Sequence, residues 1–420
     1  MPVQQQSEIG IGVIGLGERM RGVLGQVLES DQRIKLRAVC DPSPAAHAWA
    51  RNRTDSEPVY EHDVEGIVKR SDVDWVMVGS WNCHHAEHIL AAVHASKHVF
   101  TEKPLATSWG DCLKVRDALA ASNTHFFFGL VLRYSPHCQK IHDLVHEGRI
   151  GRLISFEFNE TLPYYHGGYI HSGWRRFTSQ AGSHILEKCC HDLDLANWIT
   201  DSVPRRVASF GGRDIFIPEN QGLNQTVPAR NREVFAYEEW QGPDSVNPFT
   251  GGGDIMDHQV CILEYRNGIR GTFHTNANAG QPERRFYLLG TEGSLRADVV
   301  TGRIELTPVG ANQPNEDHSV ACEDMHAGGD AVLVKSLVQT MLHGRPPCAS
   351  IADALNSSIA AFGIDTACEE GSVAVLDEMY EQLLSSSNSA MPASGESSVP
   401  VIKRSVPYKR KAKNSPASTH

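Results

Sequence analysis

Ile9-Gly10-Ile11-Gly12-Val13-Ile14-Gly15-Leu16-Gly17-Glu18-Arg19-Met20 decides the fold. The run to Ile14 is apolar and strand-like, and it breaks into a glycine turn at Gly15-Leu16-Gly17. Arg21 to Ser30 reads as helix, and Ile34-Lys35-Leu36-Arg37-Ala38-Val39-Cys40 as a second strand closed by Asp41. Strand, glycine turn, helix, strand and terminal carboxylate together describe a dinucleotide-binding βαβ unit. Gly15 permits the tight turn. Gly17 lets the backbone of Leu16, Glu18 and Arg19 approach a pyrophosphate at the helix N-terminus. Asp41 stands where a carboxylate takes ribose hydroxyls. Pro42-Ser43-Pro44 after it supplies no arginine for a 2′-phosphate, so NAD is expected over NADP. The third glycine position is Met20, which leaves the fingerprint incomplete.

Further alternation follows. Asp74-Trp75-Val76-Met77-Val78-Gly79-Ser80 reads as a buried strand ending in Trp81-Asn82-Cys83-His84-His85. A helix over about 86–95 leads to the strand Lys97-His98-Val99-Phe100 and then Thr101-Glu102-Lys103-Pro104. A helix over about 108–121 and the strand Phe126-Phe127-Phe128-Gly129-Leu130 complete a doubly wound parallel sheet, an α/β Rossmann domain spanning 9–135. Ligands bind beyond the C-terminal ends of such strands, where Gly15–Met20, Asp41, Ser80, Asn82, His85, Glu102 and Lys103 all fall.

Residues 136–384 change character. Leu153–Asn159, Arg206–Phe210, Val260–Tyr265, Gly271–Asn276 and Arg285–Leu289 alternate as half-buried strands do, and Arg266-Asn267-Gly268 reads as a hairpin turn. The expectation is an α+β second domain with an open, mostly antiparallel sheet. Residues 213–258 lack periodicity and read as a substrate-side insertion. Tyr164-Tyr165-His166-Gly167-Gly168-Tyr169 reads as an irregular aromatic loop, suited to stacking on a sugar face or simply to packing. Residues 181–199 read as one helix. It has an apolar stripe of Ile185, Cys189, Leu193 and Ala196, with His184, Glu187, His191 and Asp194 opposite. That polar side suits acid/base chemistry, or an ordinary solvated face.

Composition bounds the function. Charged content of 21% and hydrophobic content of 40% are those of a soluble globular protein, with no apolar run long enough to span a membrane and no signal-peptide pattern. The 10 cysteines are scattered, which points to reduced thiols in a cytoplasmic protein and to no metal site. Residues 1–8 and 385–420 read as disordered. The tail after Glu396 holds six positive residues and no acid, so against a total of −11 the preceding chain carries −17. An acidic body argues against a nucleic-acid partner.

Lys97-His98-Val99 running into Glu102-Lys103-Pro104, after a strand closing with Asn82 and His85, resembles the Gfo/Idh/MocA family. These are the sugar and cyclitol oxidoreductases related to glucose–fructose oxidoreductase and inositol dehydrogenase. Arg133-Tyr134, Gly148-Arg149-Ile150-Gly151, Trp174-Arg175, Gly290-Thr291-Glu292-Gly293-Ser294 and His326-Ala327-Gly328-Gly329-Asp330 match too. The resemblance implies NAD-dependent hydride transfer at a secondary hydroxyl or ketone of a sugar, cyclitol or related polyol. It also implies a homodimer or homotetramer assembled on one sheet face. His191 is the expected base, because an imidazole titrates near neutrality. Lys103 is expected to stabilise the alkoxide, or to relay the proton if its pKa is lowered. Trp174 and Arg175 are expected beside the cofactor, and Tyr164, His166, Arg175, Glu187, Lys103 and His191 around the substrate. Glu187 stands where the family usually has Asp, and Lys188 is an unusual neighbour for this site. Three other readings stand beside this one: hydrolysis or elimination through transient oxidation, a metal-dependent enzyme built on His184, Glu187, His191 and Asp194, and a non-catalytic NAD-binding regulator.

Overall fold

In the computed structural model, residues 8–54, 57–230, 233–242, 244–322 and 326–385 are described. The N-terminal and basic-tail segments discussed above lie outside these residues, save Glu8 and Ser385. The first sheet is six-stranded and parallel: β1 (Ile9–Ile14), β2 (Ile34–Cys40), β3 (Val59–Tyr60), β4 (Trp75–Val78), β5 (His98–Thr101) and β6 (Phe126–Phe128). Its order, β3-β2-β1-β4-β5-β6, is that of a complete dinucleotide-binding doubly wound fold. The four residues of β4 are all buried, as a central parallel strand covered on both faces requires.

The second sheet has nine strands: β7 (Leu153–Pro163), β8 (Pro204–Gly212), β9 (His258–Tyr265), β10 (Arg270–Ala279), β11 (Arg285–Gly290), β12 (Gly293–Asp298), β13 (Arg303–Pro308), β14 (Glu316–Asp317) and β15 (Ala374–Val375). The order is β14-β13-β12-β11-β7-β10-β9-β8-β15, antiparallel at every pairing except β7 with β10. The β9–β10 hairpin closes at Arg266-Asn267-Gly268, as expected. Phe156, Phe158, Phe273 and Phe286 interlock on the inner face, under the helices Cys190–Thr200 and Ile351–Glu370. That helix layer lies between the two sheets, and its apolar residues join both sets of core residues into one cluster.

Two expectations are corrected here. Residues 181–199 do not form one helix. A turn of helix ends at Ala181, Gly182 takes a left-handed φ of +79°, a second turn runs from His184 to Glu187, and the long helix begins only at Cys190. Ser183 caps the middle piece, accepting from the Leu186 amide. The aromatic loop is also a helix, Tyr164–Ser172. Its two glycines do not break it, because they are where other backbone passes. A Cβ on Gly167 or Gly168 would lie 1.9 Å from the carbonyl oxygen of Ala277 or Tyr237.

Candidate active site

The glycine turn sets the first wall. Gly15 has φ +80°, and a Cβ there would sit 2.4 Å from the Ser80 amide nitrogen, so the turn needs both the conformation and the space that only glycine gives. Gly17 precedes the helix Glu18–Ser30, and a Cβ on it would meet nothing within 4 Å. Open space over exposed helix-start amides suits a pyrophosphate. Asp41 braces the turn, its carboxylate accepting from the Leu16 amide (2.7 Å) and the Ser43 amide (2.7 Å). Met20 occupies the third glycine position without loss of close packing. Its side chain is buried against Gly79, where a Cβ would come within 2.7 Å of Met20 Cε. The glycine that allows helix and strand to approach stands on the strand side here.

Arg19, in the first helical turn, ties this wall to the rest of the site. Its Nε donates to Glu102 (2.9 Å) and its Nη1 to Asp330 (2.5 Å), while Nη2 is buried without a hydrogen-bond partner. His326 in turn meets Asp330 at 2.7 Å. An orphaned guanidinium donor beside the glycine turn fits a phosphate-bearing cofactor.

The ends of β4 and β5 supply the second wall. Ser80 Oγ meets His88 at 2.9 Å. Asn82 donates to the Ala181 carbonyl (2.8 Å), satisfying the end of the first helical turn before the Gly182 break. The buried His85 ring lies between the Pro104 carbonyl (Nδ1, 2.7 Å) and the Ser80 carbonyl (Nε2, 3.0 Å), locking Glu102-Lys103-Pro104 to the end of β4. Asn82 and His85 therefore fix backbone that borders the cofactor wall. Trp81 stacks on Trp174 across the two sheets, with ring centroids 5.4 Å apart.

Glu187, Lys103 and His191 converge on the third wall. The break after Glu187 leaves its backbone carbonyl open, and Lys103 Nζ takes it while also approaching Glu187 Oε1 at 3.3 Å. Arg175 Nε donates to the same carboxylate oxygen (3.1 Å) and its Nη1 to Tyr169 (2.7 Å), with the guanidinium over Trp174 at 4.3 Å. Burial would raise the Glu187 carboxyl, but Lys103 and Arg175 overcome it and hold the group well below the usual carboxylate range. Burial would likewise lower Lys103, but Glu187 together with Cys190 and Glu102 outweighs it and the ammonium is held above the usual lysine value. A relay role for Lys103 is tied to a lowered pKa, and the direction here is upward, which favours the alkoxide-stabilising role. Burial, with Lys103 and Arg284 beside it, pushes His191 well below its usual value, so its imidazole is neutral. His191 Nδ1 is buried without a hydrogen-bond partner.

The polar side of the sequence-level helix does not act as one unit. His184 meets Thr275 Oγ1 (3.0 Å), Glu187 takes Lys103 and Arg175, and Asp194 is bidentate with Arg133 (2.7 and 2.8 Å). All four residues are buried, which removes the solvated-face reading. Among the described residues no group of three or more His, Cys, Asp and Glu side chains is gathered to hold a metal ion.

Several neighbours escaped the sequence reading. Glu160 on β7 and Arg284 ahead of β11 are buried, and Arg284 Nε donates to Asp192 (2.9 Å) while Nη2 donates to Glu160. Their signal was available: Glu160 continues the inward row of Phe156 and Phe158, where a charge is anomalous. From residues 213–258, Trp240 packs against Tyr165 (4.7 Å) and His166 (5.0 Å). Tyr164 is set apart from the Lys103 cluster and donates to Glu239 (3.2 Å).

A parallel dinucleotide-binding sheet joined to an open sheet, with a lysine and a neutral imidazole at the junction, defines the class of two-domain NAD-binding oxidoreductases. The comparisons agree. Residues 9–130 match the oxidoreductase family with an NAD-binding Rossmann fold, and residues 138–296 match the GFO/IDH/MocA C-terminal domain. The chain belongs to this family. YteT of Bacillus subtilis is 28% identical over 165 residues, 39% of each chain. The 2,7-anhydro-N-acetylneuraminate hydratase of Escherichia coli is 24% identical over 69% of this chain and 68% of its own. The inositol 2-dehydrogenase of Gluconacetobacter diazotrophicus is 29% identical over 62% and 65%. A levoglucosan dehydrogenase solved with NADH and levoglucosan superposes with a TM-score of 0.72 at 18% identity, covering 88% of this chain and 100% of that one. The likeness to that structure is one of fold. No helix among the described residues is long and apolar enough to cross a membrane.

Proposed function

We propose that the protein oxidises or reduces a secondary carbinol of a sugar, cyclitol or related polyol with NAD. The convergence of Lys103 and His191 at the C-terminal edge of the NAD-binding sheet carries the reading. NAD supplies the hydride acceptor and donor, and Leu16, Gly17, Arg19 and Asp41 are the residues that would hold it. In the oxidative direction the neutral His191 would take the hydroxyl proton as the carbinol carbon gives up its hydride. The Lys103 ammonium, already charged, stabilises the developing alkoxide without moving a proton. Glu187 is ionised and is assigned to orienting Lys103 and Arg175. His166 and Tyr169, under Trp240, form the polyol-facing side.

Names of relatives support the substrate class: inositol and levoglucosan for two dehydrogenases, and an anhydro-sugar acid for a hydratase. The hydratase keeps a second reading open, in which oxidation is transient and NADH does not accumulate. The exposed Phe210, Val260 and Ile262 on the outer face of the nine-stranded sheet support assembly into a homo-oligomer. Purified protein with NAD and a panel of sugars, anhydro-sugars and cyclitols tests the reading by nicotinamide absorbance and product analysis. Turnover is expected for at least one compound, with Lys103→Met and His191→Asn each slower by roughly 100-fold or more. Either variant at wild-type rate sinks the assignment.

A further inference from the structure

We propose that the substrate carries a carboxylate and that Lys188, with His166, forms the subsite that receives it. The inference rests on the polyol-oxidoreductase reading and narrows its substrate class.

The argument begins with charge. Four cations, Lys103, Arg175, Lys188 and Arg284, face three carboxylates, Glu160, Glu187 and Asp192. Glu187 pairs with both Lys103 and Arg175, and only its weaker long-range attraction reaches Lys188. Glu160 serves Arg284 closely and Lys188 only at 3.6 Å. Arg284 therefore consumes most of the available negative charge on its side, binding Glu160 and forking onto Asp192. Burial, opposed by Arg284 and reinforced by Glu160, also pushes Asp192 well above the usual carboxylate range, and burial lowers the Lys188 ammonium as well, so an anion arriving at Lys188 would restore the charge that burial opposes. A surplus cation enclosed by protein is costly unless an anion completes it.

Position singles out Lys188. Arg284, Glu160 and Asp192 are sealed, at 9%, 4% and 0% side-chain exposure, whereas Lys188 keeps 18% and Lys103 keeps 17%. Lys188 thus keeps about as much exposure as Lys103. It follows Glu187 directly and precedes His191 by three residues, placing it on the wall that carries the base. His166 lies within electrostatic reach of Lys188, Glu187, Lys103 and Arg175, and its Nδ1 is buried without a hydrogen-bond partner. An imidazole nitrogen lacking a partner beside a loosely paired ammonium is a ready donor pair for one small anion. Both guanidinium forks nearby are spoken for, Arg175 by Glu187 and Tyr169, Arg284 by Glu160 and Asp192. That leaves one ammonium and one neutral imidazole donor, a match in charge for a monoanion such as a carboxylate and one positive charge short of a phosphate dianion.

The test compares hexuronates with the matched hexoses, glucuronate against glucose and galacturonate against galactose, on the full chain. Kinetics with NAD and calorimetric binding to the enzyme–NADH complex are measured in parallel, on wild type, Lys188→Met and Lys188→Arg. The acids are expected to lead their neutral partners by about tenfold or more, in kcat/KM or in Kd. Lys188→Met collapses that ratio towards one while NADH binding persists, and Lys188→Arg keeps most of it. Acid preference in binding without NAD reduction upholds the subsite and counts against the dehydrogenase reading alone. Equal or absent binding of the acids, or a preference that survives Lys188→Met, overturns the proposal.

Discussion

Replacing Glu187 by glutamine keeps the side chain's size and removes the charge that two cations share. At 3.3 Å from Lys103, with an effective dielectric near 20, that charge is worth about 5 kcal/mol to the ammonium. Arg175 loses a similar partner at 3.1 Å. Part of this is returned by the burial cost of Glu187 itself, so the net destabilisation expected is the ~3–5 kcal/mol typical of a buried pair broken on one side. For a chain of this size, with about 2 cal/mol/K of unfolding entropy per residue, that lowers the melting temperature by roughly 5 °C. The effect on Lys103 has a definite sign. Its pKa is held up because Glu187, with Cys190 and Glu102, outweighs burial and Arg175, so losing the largest of those attractions lets burial and Arg175 pull it down. Lysine then loses its proton at lower pH, and the alkaline limb of kcat/KM moves towards neutrality. Thermal denaturation, NADH titration and a pH profile on a turned-over substrate read these effects. Glu187→Asp, one methylene shorter and still charged, is expected to fall between wild type and Glu187→Gln in both. A Glu187→Gln protein that binds NADH, melts within about one degree of wild type and keeps its alkaline limb refutes the reasoning.

Three further outcomes are expected. Gly15→Ala forces a Cβ to 2.4 Å from the Ser80 amide at φ +80° and should abolish NADH binding measured by fluorescence titration. Gly79→Ala should also weaken NADH binding, and adding Met20→Ala should restore part of it, since Met20 Cε is the nearest obstacle at 2.7 Å. Burial lifts Asp365, which accepts from Ser183, from 3.8 to about 7. The folded state keeps a proton that the unfolded chain releases above about pH 4, so this group costs nothing below that and progressively destabilises as pH rises through 7. Asp365→Asn, which still accepts from Ser183, should flatten that fall by a few kcal/mol in denaturant titrations at pH 5 and pH 8.

The strands were legible because their signal is local. Periodicity marked β1, β2, β4, β5 and β6 in order, and the glycine turn with Asp41 placed the nucleotide wall. Asn82, His85 and Glu102 fell at strand ends as read, although their side chains brace Ala181, Pro104 and Arg19. The helix over 181–199 was misread because helical spacing persists through a break that only Gly182 and the open Glu187 carbonyl reveal, and Lys103, 84 positions away, takes that carbonyl. His184, Glu187, His191 and Asp194 share a face on paper. Thr275, Lys103 and Arg133, arriving from distant elements, divide the face. The helix Tyr164–Ser172 was hidden for a similar reason, since its glycines are demanded by the backbone of Ala277 and Tyr237. Local composition does not encode what will be pressed against it.

The contact between Met20 and Gly79 makes the two positions interdependent. A methionine on the helix fits because the strand carries no side chain opposite it, so the two cannot both be large. The dependence is one-sided, since the Gly15 carbonyl oxygen lies 2.8 Å from the same Cβ position and would oppose a side chain on the strand even over a smaller helix residue. A nucleotide fingerprint written for the helix alone does not see the strand residue that makes the room.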